Sequence, residues 1–157
     1  MALRQIARIG DDVLRIRAKE VTEFDQSLSQ LIDDMAQTMY HNEGVGLAAP
    51  QVSILKRVVV IDVGEGLVEL VNPKITKTGP LVPCIEGCLS IPGKRGKVMR
   101  PQTLTVEAYD RHGNKVKYDA EGYFAQAIAH ELDHLDGVLY LDKVIEGTLE
   151  TVSPDDE

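Results

Sequence analysis

The sequence predicts an α+β fold in which antiparallel or mixed β-sheets pack around a central helix. Apolar runs and alternation mark strands at residues 57–63 and 103–109, and after these strands the period becomes helical from about residue 121 to residue 135. Strands grouped ahead of a late helix do not suit the regular β–α alternation of a doubly wound sheet. That late helix also carries a histidine pair, His130 and His134, with Glu131 between them.

The elements follow in chain order. Asp25 is placed to cap a helix reaching about His41, with Leu28, Leu31, Ile32, Met35 and Met39 as its apolar stripe. Gly44 and Gly46 then break the helical pattern. Residues 57–63 form a strand, and residues 69–73 a second that ends at Pro73. Residues 78–100, with Pro80, Pro83, Pro92 and interspersed glycines, read as a long functional loop with short extended pieces. Residues 103–109 and 115–118 flank a turn at residues 111–114 and make a β-hairpin. The late helix stops at Gly137, and residues 138–141 read as a short closing strand.

Length and composition set the class. A chain of 157 residues with 43% hydrophobic and 27% charged residues suits one soluble domain, here residues 1–145, followed by a short acidic, solvated and frayed tail at residues 146–157. From Asp142 onward six acids face one lysine. Lysines and arginines elsewhere are scattered, so no nucleic-acid footprint is expected. No apolar run approaches a membrane span, and the first residues lack a signal-peptide pattern, so a cytoplasmic protein without membrane attachment is expected. The two cysteines, Cys84 and Cys88, are then not expected to pair, leaving at least one thiol for chemistry.

His130-Glu131-Leu132-Asp133-His134 carries the most chemistry. Residues four apart on a helix share a face, so both imidazoles can grip one ion while Glu131 reaches a water on its open side. Burying these polar groups beside Ala127, Ile128, Leu132 and Leu135 would be costly without a partner, and a divalent ion supplies one. A catalytic site wants a third protein ligand. Tyr140 stands six residues beyond His134, where one protease pattern needs histidine, and Glu146 and Glu150 lie awkwardly in the acidic tail. Cys88, between a glycine and a proline-ended loop, is the better candidate. Upstream, Gly44 and Gly46 permit close backbone approach, and the Gln51 amide can steady a developing oxyanion, although a plain turn into a strand explains this segment equally well.

Together, Gly44-Val45-Gly46-Leu47-Ala48-Ala49-Pro50-Gln51, Glu86-Gly87-Cys88-Leu89-Ser90 and the histidine motif resemble the three motifs of the peptide deformylase family in order and spacing. The resemblance runs from about residue 9 to residue 142. It implies a hydrolase that removes the formyl group from the N-terminal methionine of new polypeptides. Cys88, His130 and His134 would hold one divalent ion, natively Fe(II), with Zn, Ni or Co able to replace it in a purified sample. Glu131 would act as general base, and the Gln51 side chain and Leu89 backbone N–H would hold the oxyanion. Val45 and Gly46 would wall the methionine pocket and the peptide cleft, and Arg95 either matches an arginine near the peptide's downstream end or is an ordinary solvated loop charge. Glu86 and Arg100 would form an ion pair bracing the Cys88 loop, and Asp133 would either orient a ligand imidazole or lie in solvent. Cys84 would be a small buried residue outside the ligand set.

Three features depart from the family pattern. Ala129 replaces the usual glutamine before the first motif histidine, and Gln126 stands where an apolar pocket wall is expected. The acidic end also differs from the basic helix thought to dock many bacterial members on the ribosome, so such docking is not supported. The implied partners are N-formylmethionyl nascent peptides. A zinc endopeptidase is the main alternative, and a metal-stapled module that binds N-terminal methionine without turnover is the non-enzymatic one.

Overall fold

The structure, a computed structural model, describes residues 2–152. Its strands are β1 (Gly46–Ala48), β2 (Val58–Ile61), β3 (Val68–Thr78), β4 (Leu81–Cys88), β5 (Ile91–Pro101), β6 (Thr103–Tyr109), β7 (Lys115–Glu121) and β8 (Glu150–Thr151). Its α-helices are α1 (Gln26–His41) and α2 (Tyr123–Leu135). A five-stranded antiparallel sheet runs β1-β2-β3-β6-β7, and a second sheet runs β4-β5-β8. The expected α+β class holds, with the histidine motif on α2.

The Val-Val-Val-Ile run of β2 explains the layering. Successive strand side chains face opposite ways, so a strand apolar at every position needs cover on both faces. Val58 and Val60 pack with Leu28, Ile32 and Met35 of α1. Val59 and Ile61 pack with Ile128, Leu132 and Leu135 of α2. The two helices therefore lie on opposite faces of the larger sheet, and α2 is buried along nearly its whole length.

One end of each helix is fixed by a side-chain hydrogen bond. The Asp25 carboxylate accepts the Leu28 N–H at 3.0 Å, as its position in the sequence suggests. At the far end of α2, Arg57 donates to the Leu135 carbonyl at 3.0 Å and to Asp136 at 2.9 Å, placing a cation at the negative helix terminus. Gly137 turns the chain away at φ 75°, where an added Cβ would come 2.6 Å from the Arg15 carbonyl oxygen.

Four expectations are corrected. The strand expected to stop at Pro73 continues to Thr78, because a bulge between Val71 and Lys74 accommodates the proline. At that bulge Asn72, at φ 51°, turns its amide onto the Val21 backbone, accepting at 2.8 Å and donating at 2.9 Å. Residues 78–100 are not a long loop but the hairpin β4-β5. Pro83 is tolerated because β4 is an outer strand, and Pro92 lies in the register shift between the Glu86–Gly96 and Cys88–Ile91 pairs. Residues 138–141 do not form a closing strand. They pass into a 3-10 turn at Tyr140–Asp142, where the Asp142 carboxylate accepts the Leu139 N–H at 3.0 Å.

The fourth correction concerns the acidic end, which is held in place as far as residue 152. Strand β8 pairs Thr151 with Lys94 and Glu150 with Arg95, and the Val152 N–H donates to the Gly93 carbonyl at 2.9 Å. Residues 153–157 of the expected tail lie outside the described residues. Among the described residues no helix is long and apolar enough to cross a membrane.

Candidate metal centre

Helix α2 and the end of β4 bring three donors together. His130 and His134 stand one turn apart with ring centroids 5.1 Å apart. Cys88 closes β4, and its sulfur lies 3.3 Å from His134 Nε2. The donor atoms of Cys88, His130 and His134 all lie within 4.8 Å of one another. Tetrahedral neighbours at ordinary metal–sulfur and metal–nitrogen bond lengths are separated by about 3.5 Å, so this group fits one ion. Glu131 Oε1 and His134 Nδ1 are buried without a hydrogen-bond partner. An unsatisfied carboxylate oxygen here suits a site that carries a water as a further ligand.

A buried network holds the first imidazole. Glu86 Oε1 lies 2.7 Å from His130 Nδ1, which leaves Nε2 as that ring's free donor. Arg100, 2% exposed, grips the same carboxylate through Nε at 2.7 Å and Nη2 at 2.8 Å. Its Nη1 donates to Asp133 at 2.6 Å, and Lys143 lies 3.1 Å from Asp133 on the solvent side. The Glu86–Arg100 pair thus has the geometry expected of it. Asp133 neither orients a ligand imidazole nor lies free in solvent. One residue before His134, it points about 100° around the helix, toward β5 and Arg100.

The network separates the charge states of the buried groups. Burial works against the Glu86 charge, but the bonds from Arg100 and His130 overcome it and hold the carboxyl at about 2. Burial also opposes a charged His130, yet Glu131, Cys88 and Glu86 around it push its pKa well up. His134 is pushed well down by burial and by the neighbouring His130 charge, so it is neutral. Burial raises the Glu131 carboxyl to about 7 against the opposing pull of His130.

The glycine segment forms the facing wall. Gln51 is almost fully buried, and its Oε1 accepts the Ala48 N–H at 2.9 Å. That bond points Nε2 toward Ser90 Oγ at 3.1 Å and the Cys88 sulfur at 3.6 Å. Gly46 must be glycine here, since an added Cβ would come 2.5 Å from Glu131 Oε2. Leu89 occupies the turn between Cys88 and Ile91, and its side chain would meet a Cβ on Gly44 at 2.7 Å. A cleft of about 700 Å³ joins these parts, with Val45, Gly46, Gln51, Leu89 and Arg95 among its lining residues.

Every candidate site residue therefore borders one cleft except His134, which lies behind it as the inner donor. Arg95 is at the rim and paired with Glu150 rather than free. Gln126 lines the cleft and donates to the Ile85 carbonyl at 2.9 Å, so the polar residue bridges helix and strand. Cys84 is partly exposed rather than buried, and both thiols are unpaired. Ser90 and Tyr140 were not singled out for this site from sequence. Ser90 carries no spacing signal, and Tyr140 reaches the site only because the 3-10 turn brings its ring to 6.2 Å from that of His130.

Comparison with known proteins agrees with this geometry. The family model described as polypeptide deformylase matches residues 3–149. The peptide deformylase of Caldicellulosiruptor bescii is 55% identical over 145 residues, covering 92% of this chain and 87% of its own. That of Halothermothrix orenii is 52% identical over 147 residues, covering 92% and 96%. Among solved structures, peptide deformylase from Thermotoga maritima superposes with a TM-score of 0.89 at 44% identity, covering 91% of this chain and 98% of that one. The peptide deformylase from Synechococcus elongatus, solved in complex with actinonin, gives 0.89 at 46% identity, covering 92% and 80%. With its sulfur and two imidazoles gathered beside a buried glutamate, and with this likeness along almost its whole length, the chain belongs to the polypeptide deformylase family.

Proposed function

We propose that this chain hydrolyses the formamide at the N-terminal methionine of newly made polypeptides and releases formate. Cys88, His130 and His134 hold one divalent ion, Fe(II) in the native protein. The observation that carries this reading is the convergence of those three donors within 4.8 Å at one end of a cleft, beside the buried Glu131. A divalent ion bound there would polarise the formyl oxygen and make a nucleophile of a water at neutral pH.

The chain's own groups do the rest. Glu131, buried between the two histidines on α2, takes the proton of the attacking water and passes it to the departing amine. Gln51 Nε2 and the Leu89 N–H hold the oxyanion as it forms. The sulfur contact at 3.6 Å is long, so the Gln51 hydrogen on that side can turn to an oxyanion at little cost. Strand β1 is the outer strand of its sheet, so a peptide can pair along Val45 and Gly46 as an added strand. A formyl carbon carries only hydrogen beside its oxygen, so a tight site can admit it while excluding an acetyl methyl.

An endopeptidase is not favoured, because the third donor is an upstream thiol and no downstream glutamate or histidine joins the cluster among the described residues. The test is formate release from formyl-Met-Ala-Ser beside acetyl-Met-Ala-Ser and a longer internal peptide. Formate from the first substrate alone is expected, and internal cleavage without formate would reject the reading. Gly46→Ala is expected to push Glu131 aside and lower kcat by about 100-fold, the scale of a 1 Å misplacement. Wild-type kcat in that variant would contradict the close packing of β1 against Glu131.

A further inference from the structure

We propose that Val152 forms part of the cleft wall, and that Glu150, just outside that wall, sets the charge the cleft accepts beyond the formylated residue by neutralising Arg95. The inference rests on the deformylase reading above. If the formyl group sits at Cys88, His130 and Glu131, charges at the rim meet the later residues of the peptide.

Val152 lines the cleft together with Pro92 and Arg95. The segment that carries it is tied to β5 by several independent bonds. Thr151 and Glu150 pair with Lys94 and Arg95, Lys94 Nζ donates to Thr151 Oγ1 at 2.6 Å, and the Lys97 N–H donates to Thr148 Oγ1 at 3.1 Å. Arg95 Nε donates to Glu150 Oε1, and the side chains are 42% and 55% exposed, so the pair is in reach of both solvent and a bound peptide.

The charge balance of the rim then depends on this pair. The other exposed charges lining the cleft, Arg8 and Glu43, are opposite in sign. Glu86 and Glu131 are buried inside and engaged in the chemistry. Glu150 lies outside the lining and answers Arg95 from behind. With Glu150 present, the rim offers no excess cation to an acidic peptide. Without it, Arg95 is an unpaired cation facing the cleft.

The test measures kcat/KM for formyl-Met-Ala-Glu and formyl-Met-Ala-Lys with the full chain, at low salt and in about 0.5 M salt. The wild type is expected to treat the two peptides alike. Glu150→Gln is expected to favour the acidic peptide by about two- to fivefold, the scale of one exposed ion pair, with the change carried by KM and lost in high salt. Arg95→Gln combined with Glu150→Gln should return the ratio to the wild-type value. An unchanged ratio in Glu150→Gln, or the same shift with and without Arg95, would overturn the proposal. Absence of formate from every peptide would overturn the deformylase reading, whereas formate release with an unaltered ratio overturns only the role of Glu150.

Discussion

Glu131→Ala is expected to lower kcat for formate release by about 1,000-fold, the middle of the range for a positioned general base, while leaving the bound metal in place. Glu131 is 5% exposed, stands between the two histidines on α2, and contributes no donor to the Cys88–His130–His134 group. Glu131→Gln keeps the shape and removes only the base, so it should lose activity to a similar extent. Metal content by atomic absorption separates the two explanations for a dead variant. Full activity in either variant would remove the general-base role.

The second large effect is on stability. Arg100→Met is expected to cost about 3–5 kcal/mol, the range for breaking a buried ion pair by removing one partner, and to lower Tm by roughly 10 °C. Arg100 is enclosed by β4, β5 and α2 and donates to both Glu86 and Asp133. Its loss strands the buried Glu86 carboxylate beside His130, while Asp133 keeps Lys143 as a partner. The sign of the pH dependence follows from Glu86. Its folded pKa of about 2 lies below the ordinary 4.5, so its contribution is present above 4.5 and is lost as pH falls toward 2. The gap between wild type and Arg100→Met should therefore narrow as pH drops from 7 to about 3. Thermal unfolding followed by circular dichroism at both pH values checks this. A Tm unchanged at pH 7 would mean the network does not support the fold. Glu86→Gln combined with Arg100→Met should recover part of the loss, because the stranded charge is gone.

The parts legible in the sequence are those governed by local rules. The Asp25 cap, the stripe of α1, the valine run of β2 and the β6-β7 hairpin each follow from periodicity or turn chemistry within a few residues. The histidine pair was legible for the same reason, since one helical turn brings it together. Cys88 is 42 positions from His130 in the chain, and its place beside the histidines came from motif order rather than from any local rule. The β4-β5 hairpin is hidden because Pro83 on an outer strand and Pro92 in a register shift look like loop prolines until the pairing partner is known. Asp133 and Glu150 were misjudged on similar grounds. Each is a charged residue whose partner, Arg100 or Arg95, lies on β5, far off in the chain, and charge patterning along one segment cannot find it.

The most direct measurement is the rate of anaerobic formate release from formyl-Met-Ala-Ser, plotted against the metal bound per chain, for the wild type and Cys88→Ala. Rate should rise in proportion to metal in the wild type up to one ion per chain. Cys88→Ala should lose most of both, because two imidazoles alone hold the ion weakly. Full metal binding and full rate in Cys88→Ala, or an undiminished rate in metal-stripped wild type, would contradict a metal centre built from Cys88, His130 and His134.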